Sequence, residues 1–341
     1  AGGVTSIVTM PNTKPIIDNV SMVDFIIRRG RDKAKVNLFP CASITRQIEG
    51  NQMTEFGLLK ARGIIGFSDV NKTIQNTELM SRIMNYASDI DVLIMQHAED
   101  YELSKNSCIN EGEIATRLGL QGVSDIAEKI IIERDLSLLS KFPCRYHINQ
   151  ISSKNSLDVI KKNKSNGVKF STGVSINNLS LNQNDIGEFR TFLKLSPPLR
   201  SEEDRLSLIE GIKNNLIDVI ISDHIPEDEE SKRLPFAQAA TGSIGIETLL
   251  SLSLELYHND SLPLEKIIEC LTINPAKILK IDKGTLKKGS DGDICIFDLE
   301  KPWMVKAEDL KSKSKNTAIE NRKLQGKVKM TLLKGELVYS N

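Results

Sequence analysis

Short apolar segments rich in β-branched residues recur along the first two thirds of the chain, and each ends abruptly in polar residues. Between them lie longer segments in which apolar residues recur with helical spacing. A short run of β-branched residues is typical of a buried strand, so the pattern predicts strands that alternate with helices around a parallel sheet. The predicted strands are residues 4–9, 36–40, 63–67, 92–95, 146–151, 168–170 and 219–221.

The segments between the predicted strands have the apolar spacing of helices. In a parallel sheet wound in one sense, such helices connect each strand to the next. We expect an α/β fold, a (β/α)8 TIM-type barrel lacking its first strand in this chain. The chain opens without a methionine and enters a strand within a few residues, which suggests that a further segment lies upstream. The predicted helices are 22–29, 77–86, 111–139, 157–162, 204–212, 247–257 and 264–271.

The pattern changes toward the end of the chain, where short strands with glycine turns are predicted at 293–297, 327–333 and 336–339. They predict a small β-sandwich appendage. We therefore divide the chain into a barrel of residues 1–283 and the C-terminal part of a small β domain, residues 284–341.

Composition and charge narrow the classes of function. With 45 Lys and Arg against 45 Asp and Glu among 341 residues, the formal net charge is zero, which disfavours nucleic acid and anionic membranes as partners. Five cysteines without a C-x-x-C pair suit a reducing compartment, so we expect a cytoplasmic protein. No apolar run approaches the ~18 residues that span a bilayer.

Candidate chemistry follows the predicted strands. Asp69, His97 and Asp223 each come directly after one of them. The carboxyl ends of barrel strands face the active site, and these side chains are ligands for a divalent metal such as Zn²⁺. The sequence therefore predicts a metal site formed by these three residues. The alternative is that Asp223 and His224 only cap the following loop.

Six short motifs follow one another in an order that resembles that of dihydroorotases, in the amidohydrolase superfamily. The likeness covers essentially the whole chain, and residues 232–242 look most like a bacterial subgroup. The motifs are Met10-Pro11-Asn12-Thr13, Phe67-Ser68-Asp69, His97-Ala98-Glu99-Asp100, Ser196-Pro197-Pro198-Leu199-Arg200, Ser222-Asp223-His224 and Gly242-Ser243-Ile244-Gly245-Ile246-Glu247-Thr248.

The resemblance implies a cyclic amide hydrolase that interconverts dihydroorotate and N-carbamoyl aspartate in de novo pyrimidine synthesis, with one or two Zn²⁺. It implies that Asp223 is a metal ligand and shuttles the proton, that His97 is a ligand, and that Asp69 bridges metals. The substrate-binding positions are Asn12, Ser196, Thr241 and Gly242. A homo-oligomer or a complex with an aspartate transcarbamoylase would fit the family.

Several positions depart from the family pattern. The His-x-His of the first strand has no counterpart in this chain. Gln150 lies where a ligand histidine is expected, Val70 where a second aspartate is expected, Ser196 in place of an asparagine and Glu227 in place of a substrate-contacting histidine. Two alternatives therefore stay open: a catalytically silent homologue that acts as a structural partner of aspartate transcarbamoylase, and a hydantoinase or dihydropyrimidinase-like enzyme.

Overall fold

The computed structural model describes residues 1–341, and its strands and helices alternate along most of the chain. The strands are Ser6–Thr9 (β1), Asn37–Pro40 (β2), Leu93–Gln96 (β3), Ile109–Asn110 (β4), Gly122–Val123 (β5), Arg145–Ile148 (β6), Ser171–Ser175 (β7), Val219–Ile221 (β8), Ile294–Met304 (β9), Lys323–Leu333 (β10) and Glu336–Ser340 (β11).

Thirteen α-helices connect or cover these strands. They are Val20–Lys33 (α1), Phe56–Ala61 (α2), Thr77–Asp89 (α3), Tyr101–Ser104 (α4), Glu113–Leu118 (α5), Ile126–Lys141 (α6), Lys154–Ser165 (α7), Ile176–Ser180 (α8), Glu202–Lys213 (α9), Glu229–Arg233 (α10), Leu249–His258 (α11), Leu264–Leu271 (α12) and Ile273–Leu279 (α13). None of them is both long enough and apolar enough to cross a membrane.

All pairings among the barrel strands are parallel. β1 pairs with β2, and β3, β6, β7 and β8 form a second sheet in that order. Isolated parallel bridges from Ala42 to Phe67 and from Phe67 to Ile94 join the two sheets through the segment around Phe67. Seven parallel segments thus follow one another in chain order, which confirms the predicted α/β barrel architecture.

The main core is one cluster of 56 buried apolar residues drawn from strands, helices and loops, and it includes Leu324 of β10. All four residues of β3 are buried, as expected for a strand covered on both faces. Polar side chains fix where helices begin. Asn76 accepts a hydrogen bond from the Leu79 amide at 2.9 Å, and Ser201 and Asp204 form a capping box at the start of α9.

Two sequence predictions inside the barrel were wrong. The strand predicted at 168–170 lies at Ser171–Ser175, where the Asp218 carboxylate accepts a hydrogen bond from the Thr172 amide at 2.8 Å. A single helix over 111–139 is not formed, because Gly119 ends α5 in the left-handed conformation with φ 65° and β5 intervenes before α6. Buried polar partners and a glycine turn override the apolar pattern at these places.

The end of the chain forms a three-stranded antiparallel sheet in the order β11-β10-β9, which packs on α11. At this junction the Trp303 indole and the Ser251 hydroxyl both donate to the Gly326 carbonyl, at 3.0 and 2.6 Å. Gly326 has φ +91°, and a Cβ there would meet the Leu254 side chain at 2.4 Å. Antiparallel strands are thus present where they were predicted, and the boundary at residue 284 stays a prediction.

Candidate active site

The predicted catalytic and metal-binding side chains follow the carboxyl ends of the parallel strands. His97 is the first residue after β3, Gln150 lies two residues after β6, and Asp223 lies two residues after β8. Asp69 lies two residues after Phe67, which bridges the two sheets. Because parallel strands end at the same edge, all four residues belong to the same mouth of the barrel.

Asp223 is a partly buried carboxyl group with few hydrogen bonds. Gln150 Nε2 donates to its Oδ1 at 3.4 Å, and the Ser175 hydroxyl donates to its Oδ2 at 3.3 Å. Burial raises the pKa of Asp223 to about 6, although these two hydrogen bonds and the charge of His97 lower it. A carboxyl group with this pKa exchanges a proton readily near neutral pH. Its backbone has φ 46°, a conformation that is uncommon outside glycine.

His97 is 2% exposed, and neither of its ring nitrogens has a hydrogen-bond partner. The nearest carboxylate oxygen, Glu99 Oε2, lies 3.9 Å from Nε2. Buried polar atoms are almost always paired, so an imidazole with two unpaired nitrogens indicates a partner outside the chain. A metal ion or a substrate group would supply that partner.

Asp69 has a different environment. Its Oδ1 accepts hydrogen bonds from the amides of Ile44 and Thr45 at 2.8 and 3.0 Å, and the Thr45 hydroxyl donates to Oδ2. The side chain is buried, and its oxygens face the Ile44–Thr45 backbone. Both oxygens of Asp69 are thus engaged by Ile44 and Thr45, and its role as a metal ligand stays a prediction.

The donor set fits part of a metal site. Residues 1–341 contain no group of three or more histidine, cysteine, aspartate or glutamate side chains placed to hold an ion. His97 and Asp223 offer an unpaired imidazole and a carboxylate, which are suitable ligands. Gln150 lies beside Asp223, and its Oε1 is buried without a partner, but an amide oxygen is a weaker ligand than imidazole. These residues thus supply two good ligands, fewer than a two-metal centre requires.

The predicted substrate-binding residues lie on loops at the same end. Asn12 is exposed after β1, and Ser196 is partly buried before a cis peptide bond to Pro197. Gly242 has φ +135°, and its amide donates to the Lys194 carbonyl at 2.9 Å. The backbone amide and carbonyl of Thr241 make no hydrogen bond within the chain, so they remain free for a ligand.

The other three histidines have structural partners. His147 Nδ1 lies 2.8 Å from the Ser171 hydroxyl, and burial lowers the pKa of His147 to about 4. His224 Nδ1 accepts from the Gly245 amide at 3.1 Å, which ties the turn after β8 to the next segment. His258 Nε2 lies 3.2 Å from the Leu299 carbonyl. Only His97 among the four is left unpaired at the mouth.

Ser175 and Glu99 belong to the site but received no role from the sequence. Ser175 was missed because the strand that ends with it was predicted at 168–170, which left it in a loop. Period-two patterning gave no signal for β7, since its sequence Ser-Thr-Gly-Val-Ser is mostly polar. Glu99 stands two residues after His97, within a quoted motif, and its spacing was the available signal.

Comparison with known proteins identifies the family of the chain. A family model described as dihydro-orotase-like matches residues 1–156, and an amidohydrolase family model matches residues 233–339. The dihydroorotase of Ehrlichia chaffeensis is 43% identical over 340 residues, which is 99% of this chain and 76% of the relative. The dihydroorotase of Ehrlichia canis is 41% identical over 341 residues, 100% of this chain and 76% of the relative. The chain belongs to the dihydroorotase family.

Solved structures with the same fold include an L-hydantoinase (dihydropyrimidinase) from Arthrobacter aurescens. It superposes with a TM-score of 0.87 at 24% identity, over 99% of this chain and 78% of the other. At this identity the likeness establishes the barrel fold alone. Membership of the dihydroorotase family points to a metal cofactor and a small-molecule substrate, in agreement with the unpaired His97 and its neighbour Asp223.

Proposed function

We propose that this chain is a dihydroorotase, a hydrolase of cyclic amides that interconverts dihydroorotate and N-carbamoyl aspartate in de novo pyrimidine synthesis. The observation that carries the proposal is Asp223, whose carboxyl group lies at the barrel mouth with a pKa of about 6. The family of the chain and the unpaired nitrogens of His97 support it.

Asp223 is the proposed proton carrier. In ring opening, the oxygen of a water molecule bonds to the ring carbonyl carbon and the carbon–nitrogen bond breaks. Asp223 accepts the proton that water gives up and returns it to the leaving nitrogen. A carboxyl group with a pKa near the working pH suits both steps. Ring closure runs through the same transfers in reverse.

A zinc ion is the proposed cofactor, held by His97 and Asp223 together with ligands that these two residues do not supply. When bound, zinc lowers the pKa of water and polarises the carbonyl group that is attacked. Gln150 keeps the Asp223 carboxylate oriented through its amide, and Ser175 does so from the other side. Both contacts hold the oxygen atoms that must meet substrate and ion.

The cyclic amide is proposed to bind against the Thr241 backbone. A ring amide has one N–H donor and one carbonyl acceptor side by side, which complement the free carbonyl and amide of Thr241. Gly242 holds this segment in place through its hydrogen bond to Lys194, while the Asn12 amide and the Ser196 hydroxyl are proposed to contact the polar substituents of the substrate.

The decisive experiment compares aspartates at the two ends of β8. Asp223→Asn keeps the shape and removes the charge, so the rate of dihydroorotate ring hydrolysis should fall roughly 100-fold or more. The thermal midpoint should not fall, because the substitution removes a charge that burial disfavours. Asp218→Asn is the matched control: Asp218 bonds Thr172 and Lys164 at the opposite end, so its loss should lower the midpoint and spare the rate. An unchanged rate in Asp223→Asn would overturn the role of Asp223.

A second candidate is a catalytically silent homologue that binds an aspartate transcarbamoylase. Gln150, where a ligand histidine is expected, and Ser196, in place of an asparagine, favour it. Metal analysis of the purified protein separates the two: bound zinc supports the enzyme, and its absence together with co-purification of the transcarbamoylase supports the silent partner. Turnover of hydantoin in place of dihydroorotate would favour a hydantoinase-like enzyme instead.

Assembly and location complete the proposal. All five cysteines are free thiols, which supports a protein that functions in the reducing cytoplasm. A homo-oligomer is the expected state for the enzyme, and light scattering of the purified protein tests it.

A further inference from the structure

One sizeable cavity of the molecule does not lie at the barrel mouth. It has a volume of about 820 Å³ and opens at the opposite end of the sheet, where β3, β6 and β7 begin. Leu93, Arg145 and Ser171, the first residues of these strands, line it. This volume lies within the ~300–1,000 Å³ of small-molecule sites. None of the proposed catalytic residues reaches it.

Charge in this cavity is unbalanced. Its lining contains the cations Arg145, Lys169 and Lys277, and the single anion Asp91. Asp91 already pairs with Lys280, outside the lining. Because the chain as a whole has no net formal charge, the surplus of positive charge is a local property of this cavity.

Arg145 is the central cation. One guanidinium nitrogen, Nη2, donates to the Ile278 carbonyl at 2.5 Å, and the other nitrogens donate no hydrogen bond within the chain. No carboxylate lies within ion-pair distance, and burial lowers the pKa of Arg145 although Asp91 partly offsets this. A partly buried guanidinium with free donors is a strong site for a planar or tetrahedral oxyanion.

Apolar walls adjoin the cations. Leu93, Leu139, Phe170 and Ile278 are among the residues that line the cavity. An apolar wall does not favour an inorganic ion, because the ion would lose part of its hydration shell there. It suits a molecule with a flat or apolar body attached to its charged group.

We propose that this cavity, which we call the basal cavity, binds a small organic phosphate. The phosphate of a monoester carries about two negative charges near neutral pH, which match the excess of cations. Its oxygens accept from the free donors of Arg145, with Lys169 and Lys277 at the rim, and its organic body packs against Leu139 and Phe170. The inference is independent of the proposed reaction.

The test uses phenyl phosphate, which combines a phosphate with an aromatic ring. Calorimetric titration of the intact chain at low salt should give one saturable site per chain. Phenyl phosphate should bind at least about tenfold more tightly than inorganic phosphate or benzyl alcohol, because each of these lacks one of the two contacts. No saturable binding of phenyl phosphate would overturn the proposal.

Variants locate the site. Arg145→Met should weaken phenyl phosphate binding about tenfold or more, the loss expected for a charge-assisted contact. Arg82→Met is the matched control, since Arg82 is an exposed arginine on α3 paired with Glu78, and it should bind like the parent protein. Equal weakening in both variants, or none in Arg145→Met, contradicts the assignment.

A second pair of substitutions covers the case in which Arg145→Met does not fold. Lys169 and Lys277 are exposed and take part in no ion pair, so the double variant Lys169→Met/Lys277→Met should keep the fold. It should weaken phenyl phosphate binding and flatten its salt dependence. Unchanged binding in this double variant would refute the rim contacts and, with them, the basal cavity as the phosphate site.

Discussion

Two aspartates at the barrel mouth, Asp69 and Asp223, follow parallel strands in the same way and look alike in the sequence. In the structure they differ in what their oxygens touch. Asp69 accepts three hydrogen bonds from Ile44 and Thr45, whereas Asp223 accepts two long ones from Gln150 and Ser175. Position at a strand end therefore makes a carboxylate available for chemistry only when the neighbouring turn leaves its oxygens free.

The largest expected effect is on stability at the first aspartate. Asp69→Ala removes a buried acceptor and leaves two backbone amides unpaired, which should lower the free energy of unfolding by about 3 kcal/mol. Urea denaturation measures it. Asp223→Ala, the matched variant at the same end of the barrel, should lower the free energy of unfolding by less than about 1 kcal/mol, if at all. Equal losses at the two sites would erase the distinction between them.

The pKa of Asp223 allows a second test of this difference, through the dependence of stability on pH. Burial raises this pKa from 3.8 to about 6, so the folded protein disfavours the ionised form. Stability contributed by the neutral carboxyl is fully present below pH 4 and is lost as the pH rises through 6. Between pH 4 and 7, the free energy of unfolding of metal-free Asp223→Asn should therefore rise by about 2 kcal/mol relative to that of the metal-free parent protein.

His147 titrates in the same range with the opposite sign. Its pKa is lowered to about 4, so its contribution to stability is lost as the pH falls. Both proteins in the previous comparison contain His147, and its effect cancels when their unfolding free energies are subtracted. A difference between them that does not change with pH would show that Asp223 ionises as it does in the unfolded chain.

The smallest expected effect concerns metal affinity. Gln150→His puts an imidazole beside Asp223, where the chain has a weakly coordinating amide, and should tighten zinc binding about tenfold, or ~1.4 kcal/mol. Competition with a zinc chelator measures it. Asn149→His, at the neighbouring position, whose side chain contacts Ser68 and not Asp223, should leave the affinity unchanged. A gain in Asn149→His alone would place the ion elsewhere.

The sequence predicted the fold well because the apolar strands carry their own signal. Runs such as Val219–Ile221 and Leu93–Met95 are fully apolar, and the structure has strands there. β7 was misplaced because its residues are polar, and their burial depends on partners such as Asp218, which follow 40 or more residues later. The local pattern of apolar and polar residues does not indicate such contacts.

The candidate site was predicted less fully. Position after a strand was enough to single out His97 and Asp223, and the charge of His97 lowers the pKa of Asp223 in the structure. It also singled out Asp69, whose role depends on Thr45, 24 residues earlier in the chain. Hydrogen bonds between turns that are distant in sequence determine which polar side chains have a structural role. Such bonds form only in the folded barrel, so the local sequence does not indicate them.

The contact between Trp303 and Gly326 has a practical consequence. Trp303 is the only tryptophan in the 341 residues, and its indole N–H is bonded where the C-terminal sheet meets α11. The intrinsic fluorescence of this protein therefore comes chiefly from one junction. A red shift in its emission reports that the sheet has left the barrel, even while the helical signal in circular dichroism is unchanged.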